Sequence, residues 1–139
     1  MAHPMKVHGA CHCGSIAFEA VADPDSVTIC HCQACQTLTG TAYRVTVAAD
    51  AKGFRLLRGV PKVYIKLAES GNKRAMVFCG DCGSSVYSHA AEGLPASYGL
   101  RVGCLREREA LIPRRRIWCE SALGWSIHLD GMAQFEKGR

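Results

Sequence analysis

The chain has 139 residues, of which 48% are hydrophobic and 21% are charged, as is typical of one globular domain. No apolar run reaches the roughly 18 residues of a membrane span, and residues 1–6 lack the apolar region of a secretory signal. We therefore expect a single domain over residues 1–139, located in the cytoplasm and without a membrane partner.

Short apolar or alternating segments follow one another along the chain, with turn residues between them, and this pattern predicts an all-β domain. Asp23–Ser26 is a turn by composition, and residues 33–38 are predicted to form one helical turn. The apolar tail, residues 123–135, is predicted to pack against an edge of the domain. The predicted strands are residues 15–22, 27–32, 41–48, 54–57, 62–68, 75–78, 85–89, 96–105 and 116–120.

The strand over residues 41–48 shows the clearest alternation. Tyr43, Val45 and Val47 are expected on one face, with Arg44 and Thr46 on the other. Such a pattern is typical of a half-buried strand.

Nine cysteines are unusually many for a cytosolic chain. The odd count leaves one thiol unpaired in any all-disulfide scheme, and closely spaced cysteines in a reducing compartment are typical of metal ligands. Seven of them form three clusters: Cys11 and Cys13; Cys30, Cys32 and Cys35; and Cys79 and Cys82.

The net positive charge of the chain depends on whether these thiols bind metal. If seven thiolates held two Zn²⁺ ions, the formal charge of +5 would fall to about +2. Composition therefore does not favour nucleic acid as a partner. The one dense basic run, Arg114–Arg116, is interpreted as a solvated loop.

The central cluster combines a strand end with a metal-binding turn. Side chains alternate along a strand, so Cys30 and Cys32 are expected to share a face while His31 points away. The two-residue spacing from Cys32 to Cys35 brings two sulfurs to one ion. This segment predicts a three-sulfur site that lacks a fourth local ligand.

Spacing leaves two ways of dividing the seven thiols. We favour one closed site of Cys11, Cys13, Cys79 and Cys82, because both segments end in glycine and begin hairpins that could clasp one ion. The alternative joins the two Cys-x-x-Cys turns as a zinc ribbon and leaves the other three thiols as a separate site. Spacing alone does not exclude it.

Five motifs, spread over nearly the whole chain, carry a resemblance to a known family. They are Gly9-x-Cys11-x-Cys13-Gly14, Cys30-His31-Cys32-x-x-Cys35 with Gly40, Phe78-Cys79-x-x-Cys82-Gly83-Ser84, Arg101-Val102-Gly103-x-Leu105 and Trp125-Ser126-Ile127-x-Leu129-Asp130-Gly131-x-x-x-Phe135. In these motifs the chain resembles the family named for the glutathione-dependent formaldehyde-activating enzyme, which also includes the centromere protein V domain.

The resemblance implies a β-tent fold, with sheets that converge around zinc. It also implies a carbon–sulfur lyase or synthase activity that joins glutathione to formaldehyde and gives S-hydroxymethylglutathione. Two Zn²⁺ ions are implied: a structural ion held by Cys11, Cys13, Cys79 and Cys82, and a catalytic ion held by Cys30, Cys32 and Cys35.

A three-thiolate zinc site suits thiol chemistry. Its net charge near −1 damps the activation of water, but the ion stays thiophilic and keeps an open position, so we expect it to be the more easily lost of the two. We hypothesise that a small-molecule thiol binds there, loses its proton and attacks a small aldehyde. An oligomer is compatible with the sequence.

Two rival interpretations remain open. In one, the chain is a zinc-stabilised binding module in which a protein ligand fills the three-sulfur site and no chemistry occurs. In the other, the same site acts on a different thiol or electrophile.

Several other residues received a structural interpretation. His12 and His31 are expected to pack or to bond to the backbone, and Cys104 and Cys119 to be buried, inert thiols. A second group, Arg44, Lys66 and Arg101, is interpreted as surface residues that are also candidates for the two carboxylates of glutathione.

Overall fold

The protein is seen here as a computed structural model that describes residues 3–138, so both ends of the predicted domain lie just outside the described residues. Ten strands join in one sheet, and within the described part α1 (Gln33–Thr39) is the only α-helix. No described helix has the length and apolar character needed to cross a bilayer. The strands are β1 Met5–Ala10, β2 Ala17–Ala22, β3 Thr28–Cys30, β4 Arg44–Asp50, β5 Arg55–Arg58, β6 Lys62–Leu67, β7 Lys73–Phe78, β8 Ser85–Ala90, β9 Ser97–Arg101 and β10 Arg115–Ile117.

The all-β prediction is confirmed, and the topology is that expected of a β-tent. The main path of paired strands runs β1-β2-β4-β9-β8-β7-β6, with antiparallel neighbours throughout. Strand β5 adds to β2, and β3 pairs with β4. Strand β10 lies parallel to β3, with Ile117 opposite Cys30. Because β3 pairs with both β4 and β10, it brings the central cysteine cluster onto the sheet.

The core lies on one face of this sheet. Along β2 the buried residues are Phe18, Ala20 and Ala22, and along β4 Val47 and Ala49 are buried, which is the period of two expected of strands with one inner face. Arg44 and Thr46 belong to the other face of β4, as the sequence pattern predicts.

The helix between β3 and β4 is longer than the single turn predicted for it. It begins after Cys32, whose Sγ accepts a hydrogen bond from the Cys35 N–H, and it ends at Gly40, which adopts φ 67°. An N-cap acceptor and a left-handed C-terminal glycine are the standard helix boundaries. They complete a seven-residue helix from a segment of modest propensity.

The predictions for residues 96–120 need correction. The strand predicted over residues 96–105 ends at Arg101, and a 3₁₀ turn follows over Val102–Cys104. The basic run, Arg114–Arg116, was predicted to be a loop. This prediction is wrong for Arg115 and Arg116, which belong to β10 beside β3. The strand predicted over residues 116–120 ends at Ile117. The next residue, Trp118, adopts φ 55°.

The packing prediction for the C-terminal tail is wrong for its large side chains. Trp125, Ile127 and Phe135 are 61%, 50% and 64% exposed, respectively. Residues 124–127 form a 3₁₀ turn in which only Ser126 is buried. An apolar composition therefore did not guarantee burial in this segment.

Gly9 is in the core because the ring of Phe18 occupies the place of its side chain. The two residues are directly opposite in the β1–β2 pair, and a Cβ at position 9 would lie 2.1 Å from Phe18 Cζ. Phe18 itself stacks on Phe54 and meets Tyr87 edge to face. The glycine two residues before Cys11 thus serves packing rather than backbone freedom.

We expect Gly9→Ala to lower the free energy of unfolding by about 1–3 kcal/mol, because the added methyl group must displace the Phe18 ring. Gly103→Ala is the matched control, since a Cβ there meets no atom within 4 Å. Chemical denaturation of both variants checks this. Equal stability of the two variants would contradict the packing role.

Candidate metal centres and adjoining grooves

Two similar turns carry the first group of cysteines. Cys11 and Cys13 lie in the turn between β1 and β2, and Cys79 and Cys82 lie in the turn between β7 and β8. In each turn the glycine after the second cysteine has a positive φ, 82° in one turn and 80° in the other. This conformation favours glycine and lets the chain reverse immediately after the sulfur.

The four sulfur atoms have the spacing of a tetrahedral metal site. All four Sγ atoms lie within 4.8 Å of one another, with 3.7 Å from Cys11 to Cys13 and 3.8 Å from Cys13 to Cys79. A tetrahedron with zinc–sulfur bonds of about 2.3 Å has sulfur–sulfur edges of about 3.8 Å. The four-thiol group therefore fits zinc, and all nine cysteines are free of disulfides.

Two serines that were given no role from the sequence support this four-thiol group. Ser15 Oγ lies 3.2 Å from Cys13 Sγ, 3.3 Å from Cys79 Sγ and 3.7 Å from Cys11 Sγ. Ser84 Oγ lies 3.3 Å from Cys82 Sγ, and this hydrogen bond is the largest cause of the lowering of the Cys82 pKa to about 5. The detectable signal is a tripeptide, Cys-Gly-Ser, that occurs in both turns.

The second group of cysteines, which we call the trio, lies at the corner where β3 leads into α1. Cys30 ends β3, Cys32 caps the helix, and Cys35 lies in its first turn. Their three Sγ atoms lie within 4.8 Å of one another. In residues 3–138, no further Cys, His, Asp or Glu completes the trio to a group of four.

His31, which lies between Cys30 and Cys32, takes no part in the trio. His31 is fully buried, and its ring packs edge to face on Tyr43 with 5.4 Å between ring centres. Its backbone N–H donates to the Ile117 carbonyl at 3.0 Å. The expectation that it packs is confirmed. His12 is likewise held by its backbone, whose N–H donates to Ser84 Oγ.

Burial keeps the Cys35 thiol protonated unless a cation is bound to its sulfur. Burial raises the pKa of the Cys35 thiol to about 12, and the positive charge of Arg44 opposes that rise only in part. A buried thiol of this kind ionises readily only when a metal ion replaces its proton. The trio is therefore a second candidate metal site, formed from six consecutive residues.

Two grooves adjoin the trio. The first, the wide groove, has a volume of about 760 Å³ and is lined by Cys32, Lys66, Trp118 and Glu120, among others. The second, the arginine groove, has a volume of about 400 Å³ and is reached by both Cys30 and Cys35. The trio thus faces space for two different molecules.

The three cationic residues singled out from the sequence are divided between these grooves. Lys66 lines the wide groove, as expected of a surface residue. The surface interpretation is wrong for Arg44 and Arg101, which line the arginine groove and are each only 7% exposed.

The two remaining cysteines have different environments. Cys104 is largely buried, its pKa is raised to about 11 by burial, and its Sγ donates to the Arg101 carbonyl at 3.0 Å. It is the inert thiol that was expected. For Cys119 the same expectation is wrong, because this residue is exposed.

Comparison with known proteins agrees with this arrangement. The model of the family described as glutathione-dependent formaldehyde-activating enzyme matches residues 6–121, and the chain therefore belongs to that family. A crystal structure of a Rhodobacter sphaeroides protein is similar in fold, with a TM-score of 0.60 and 22% identity. The likeness covers 81% of this chain and 99% of that one.

We expect Cys79→Ser to lose one of two bound zinc ions and to unfold much of the domain, since structural zinc contributes about 10–16 kcal/mol in zinc-finger peptides. Zinc content per chain and thermal unfolding check this. Cys119→Ser, at an exposed cysteine outside both sulfur groups, is the control. A Cys79→Ser protein with unchanged zinc content and midpoint would exclude a structural ion at this site.

The support from Ser15 can be tested separately. We expect Ser15→Ala to weaken zinc binding at the four-thiol group by about 10-fold or more, because its hydroxyl contacts three of the sulfurs. Competition with a chelator measures the affinity, and Ser70→Ala, in an exposed turn, is the control. Equal affinities in the two variants would remove the proposed role of the Ser15 hydroxyl.

Proposed function

We propose that this member of the glutathione-dependent formaldehyde-activating enzyme family is a zinc-dependent enzyme that joins a glutathione-like thiol to formaldehyde or a related small electrophile. In this proposal the trio holds the catalytic zinc and the four-thiol group holds the structural zinc. The observation that carries it is the trio itself, which offers three sulfurs and no fourth ligand from residues 3–138. A binding module whose site is filled by a protein ligand is disfavoured by the same observation.

The trio and its neighbours have distinct tasks in this proposal. Bound zinc would supply a thiophilic Lewis acid that favours the thiolate form of an incoming thiol. Cys30 and Cys35 face the arginine groove, and Cys32 faces the wide groove. Each of the two grooves therefore offers a substrate a route to the trio.

The wide groove suits a zwitterionic thiol. Lys66 provides one positive charge, Glu69 and Glu120 provide two negative charges, and Trp118 provides an apolar wall. Glutathione carries two carboxylates and one ammonium group, so Lys66 can pair with one carboxylate and Glu120 with the ammonium group, while the other carboxylate finds no second cation in this groove. We assign the wide groove to the thiol on this basis.

The reaction needs no oxidant or reductant. The thiol sulfur attacks the carbonyl carbon and forms a carbon–sulfur bond. The π bond of the carbonyl group breaks, and its oxygen receives the thiol proton and becomes a hydroxyl group. The reverse step breaks the carbon–sulfur bond and is the lyase direction. The two grooves would hold thiol and aldehyde at the same sulfur cluster, and such proximity lowers the barrier to their reaction.

The setting proposed for this chemistry is the cytoplasm. Nine cysteines without a disulfide are typical of a reducing compartment, which also keeps a substrate thiol reduced. We further propose that residues 1–139 act as one domain.

The test is exchange spectroscopy of carbon-labelled formaldehyde with glutathione, which separates enzyme-dependent addition from the spontaneous reaction. We expect Cys30→Ser to reduce the exchange to the spontaneous rate. It should lose only the zinc ion of the trio, because the four-thiol group is unchanged. Cys119→Ser is the control and should keep both zinc and activity. A folded Cys30→Ser protein with full activity would refute this function.

A further inference from the structure

The arginine groove is one face of the sheet, crossed by guanidinium groups from four strands. Arg44, Arg74, Arg101 and Arg115 extend from β4, β7, β9 and β10, respectively. Arg44 is directly opposite Cys30 in the β3–β4 pair, so the arginines begin beside the trio. The lining contains no aspartate or glutamate.

The inner arginines are buried without a carboxylate partner. Arg44 and Arg101 are each 93% buried, and within residues 3–138 neither forms an ion pair. Among the described residues, Arg44 Nε and Arg101 Nη2 find no hydrogen-bond partner. Buried cations are normally paired, since an unpaired charge of this kind costs several kcal/mol in desolvation.

Hydroxyl groups orient these arginines but leave their charge in place. Arg101 Nη1 donates to Thr46 Oγ1 at 3.1 Å, and Arg74 Nη2 donates to Ser88 Oγ at 3.3 Å. Burial, reinforced by the neighbouring charge of Arg44, lowers the pKa of Arg101 to about 9. Because no carboxylate lines this groove, the guanidinium charges make the local field positive, and an anion would relieve it.

The trio does not neutralise this field. Three thiolates around a divalent cation carry one net negative charge. Arg44, Arg74 and Arg101 carry three positive charges on the same groove. Two positive charges remain for a ligand, and a third is available from Arg115 at the outer end.

A glycine, Gly99, lies among the residues that line this groove. Gly99 is opposite Ser88 in the β8–β9 pair, and a Cβ there would lie 3.1 Å from both Ser88 Oγ and Thr46 Cγ2. Its φ is not in the left-handed region, so the backbone does not require glycine. The absence of a side chain instead lets Ser88 and Thr46, which accept hydrogen bonds from Arg74 and Arg101, lie close to the backbone of Gly99.

We propose that the arginine groove binds a carboxylate of a substrate that reacts at the trio, an inference that rests on the proposed function. The planar fork of a guanidinium group matches a carboxylate in two parallel hydrogen bonds. The volume of about 400 Å³ suits a small acid. The carboxylate belongs either to the thiol, as in glutathione, or to the electrophile, as in an aldehyde acid such as glyoxylate.

A binding experiment tests the subsite without turnover. Malonate is titrated calorimetrically into zinc-loaded wild type, Arg101→Met, Gly99→Val and Arg116→Met. Methionine at position 101 is expected to preserve the fold, because an apolar residue of similar volume often replaces a buried charge without loss of stability. Arg116 lies on β10, is exposed and does not line the groove, so its variant is matched in charge.

We expect malonate to bind wild type and Arg116→Met equally, and the other two variants about 10-fold to 100-fold more weakly. Gly99→Val narrows the groove without removing a charge. It therefore distinguishes binding of malonate inside the groove from nonspecific attraction to the positive charges. Failure of malonate to bind wild type, or equal binding by all four proteins, would overturn the subsite. Circular dichroism and zinc content establish that each variant is folded.

Matched substrates identify the source of the carboxylate. With formaldehyde, glutathione is compared with 2-mercaptoethanol; with 2-mercaptoethanol, glyoxylate is compared with formaldehyde. We expect Arg101→Met to raise KM by about 10-fold or more for whichever partner carries the carboxylate, and to leave the uncharged pair unchanged. An equal loss with every pair would show that Arg101 is structural and would overturn the proposal.

The outcomes also separate this inference from the proposed function. If wild type with two zinc ions accelerates no thiol–aldehyde pair, the proposed function fails, although malonate binding that depends on Arg101 would still support an anion site. If the reaction proceeds and the arginine variants match wild type, the proposed function stands and the carboxylate subsite is refuted.

Discussion

Contact between the sulfurs of two distant turns is the constraint on which the rest of the fold depends. The hairpin β1–β2 and the hairpin β7–β8 are separated in the sheet by β4 and β9, yet Cys13 Sγ and Cys79 Sγ lie 3.8 Å apart. Four thiols this close cannot all ionise without a cation between them, since like charges at this distance repel strongly. An ion there would close the sheet at one end and fix the strands between the two hairpins.

The two sulfur groups differ in how they are built, and this difference fits separate tasks. The four-thiol group joins residues nearly 70 positions apart, so its formation depends on the folded sheet. The trio lies within six consecutive residues, from Cys30 to Cys35, and its geometry is set by a strand end and a helix cap. A local site of this kind can lose or exchange its ion without unfolding the sheet.

The sequence specified the sulfur groups much better than it specified what surrounds them. Cysteine spacing and the glycines at turns are local signals, and they identified both groups. A strand near β10 was predicted, but its parallel pairing with β3 was not, because that pairing depends on contacts some 87 positions away along the chain. Cys104 and Cys119 both occur in strand-like segments, yet Cys104 is partly buried and Cys119 is exposed, because the chain turns at Trp118.

Arg44 and Arg101 show the same limit in a way that bears on function. Alternation placed Arg44 on the outer face of β4, which is correct, but an outer face is normally solvated. Here β3, β7, β9 and β10 enclose that face and turn it into a groove. Burial of a cation follows from the assembled sheet and from no local pattern.

The choice of partners for these buried arginines is informative about the groove. An aspartate or glutamate at the position of Thr46 or Ser88 would neutralise a guanidinium group permanently and stabilise the sheet, whereas a hydroxyl group orients it and leaves it charged. A fold selected for stability alone gains nothing from an unpaired buried charge. The arrangement is understandable if the missing negative charge arrives with a ligand, and its position beside Cys30 and Cys35 places that ligand next to the sulfur chemistry.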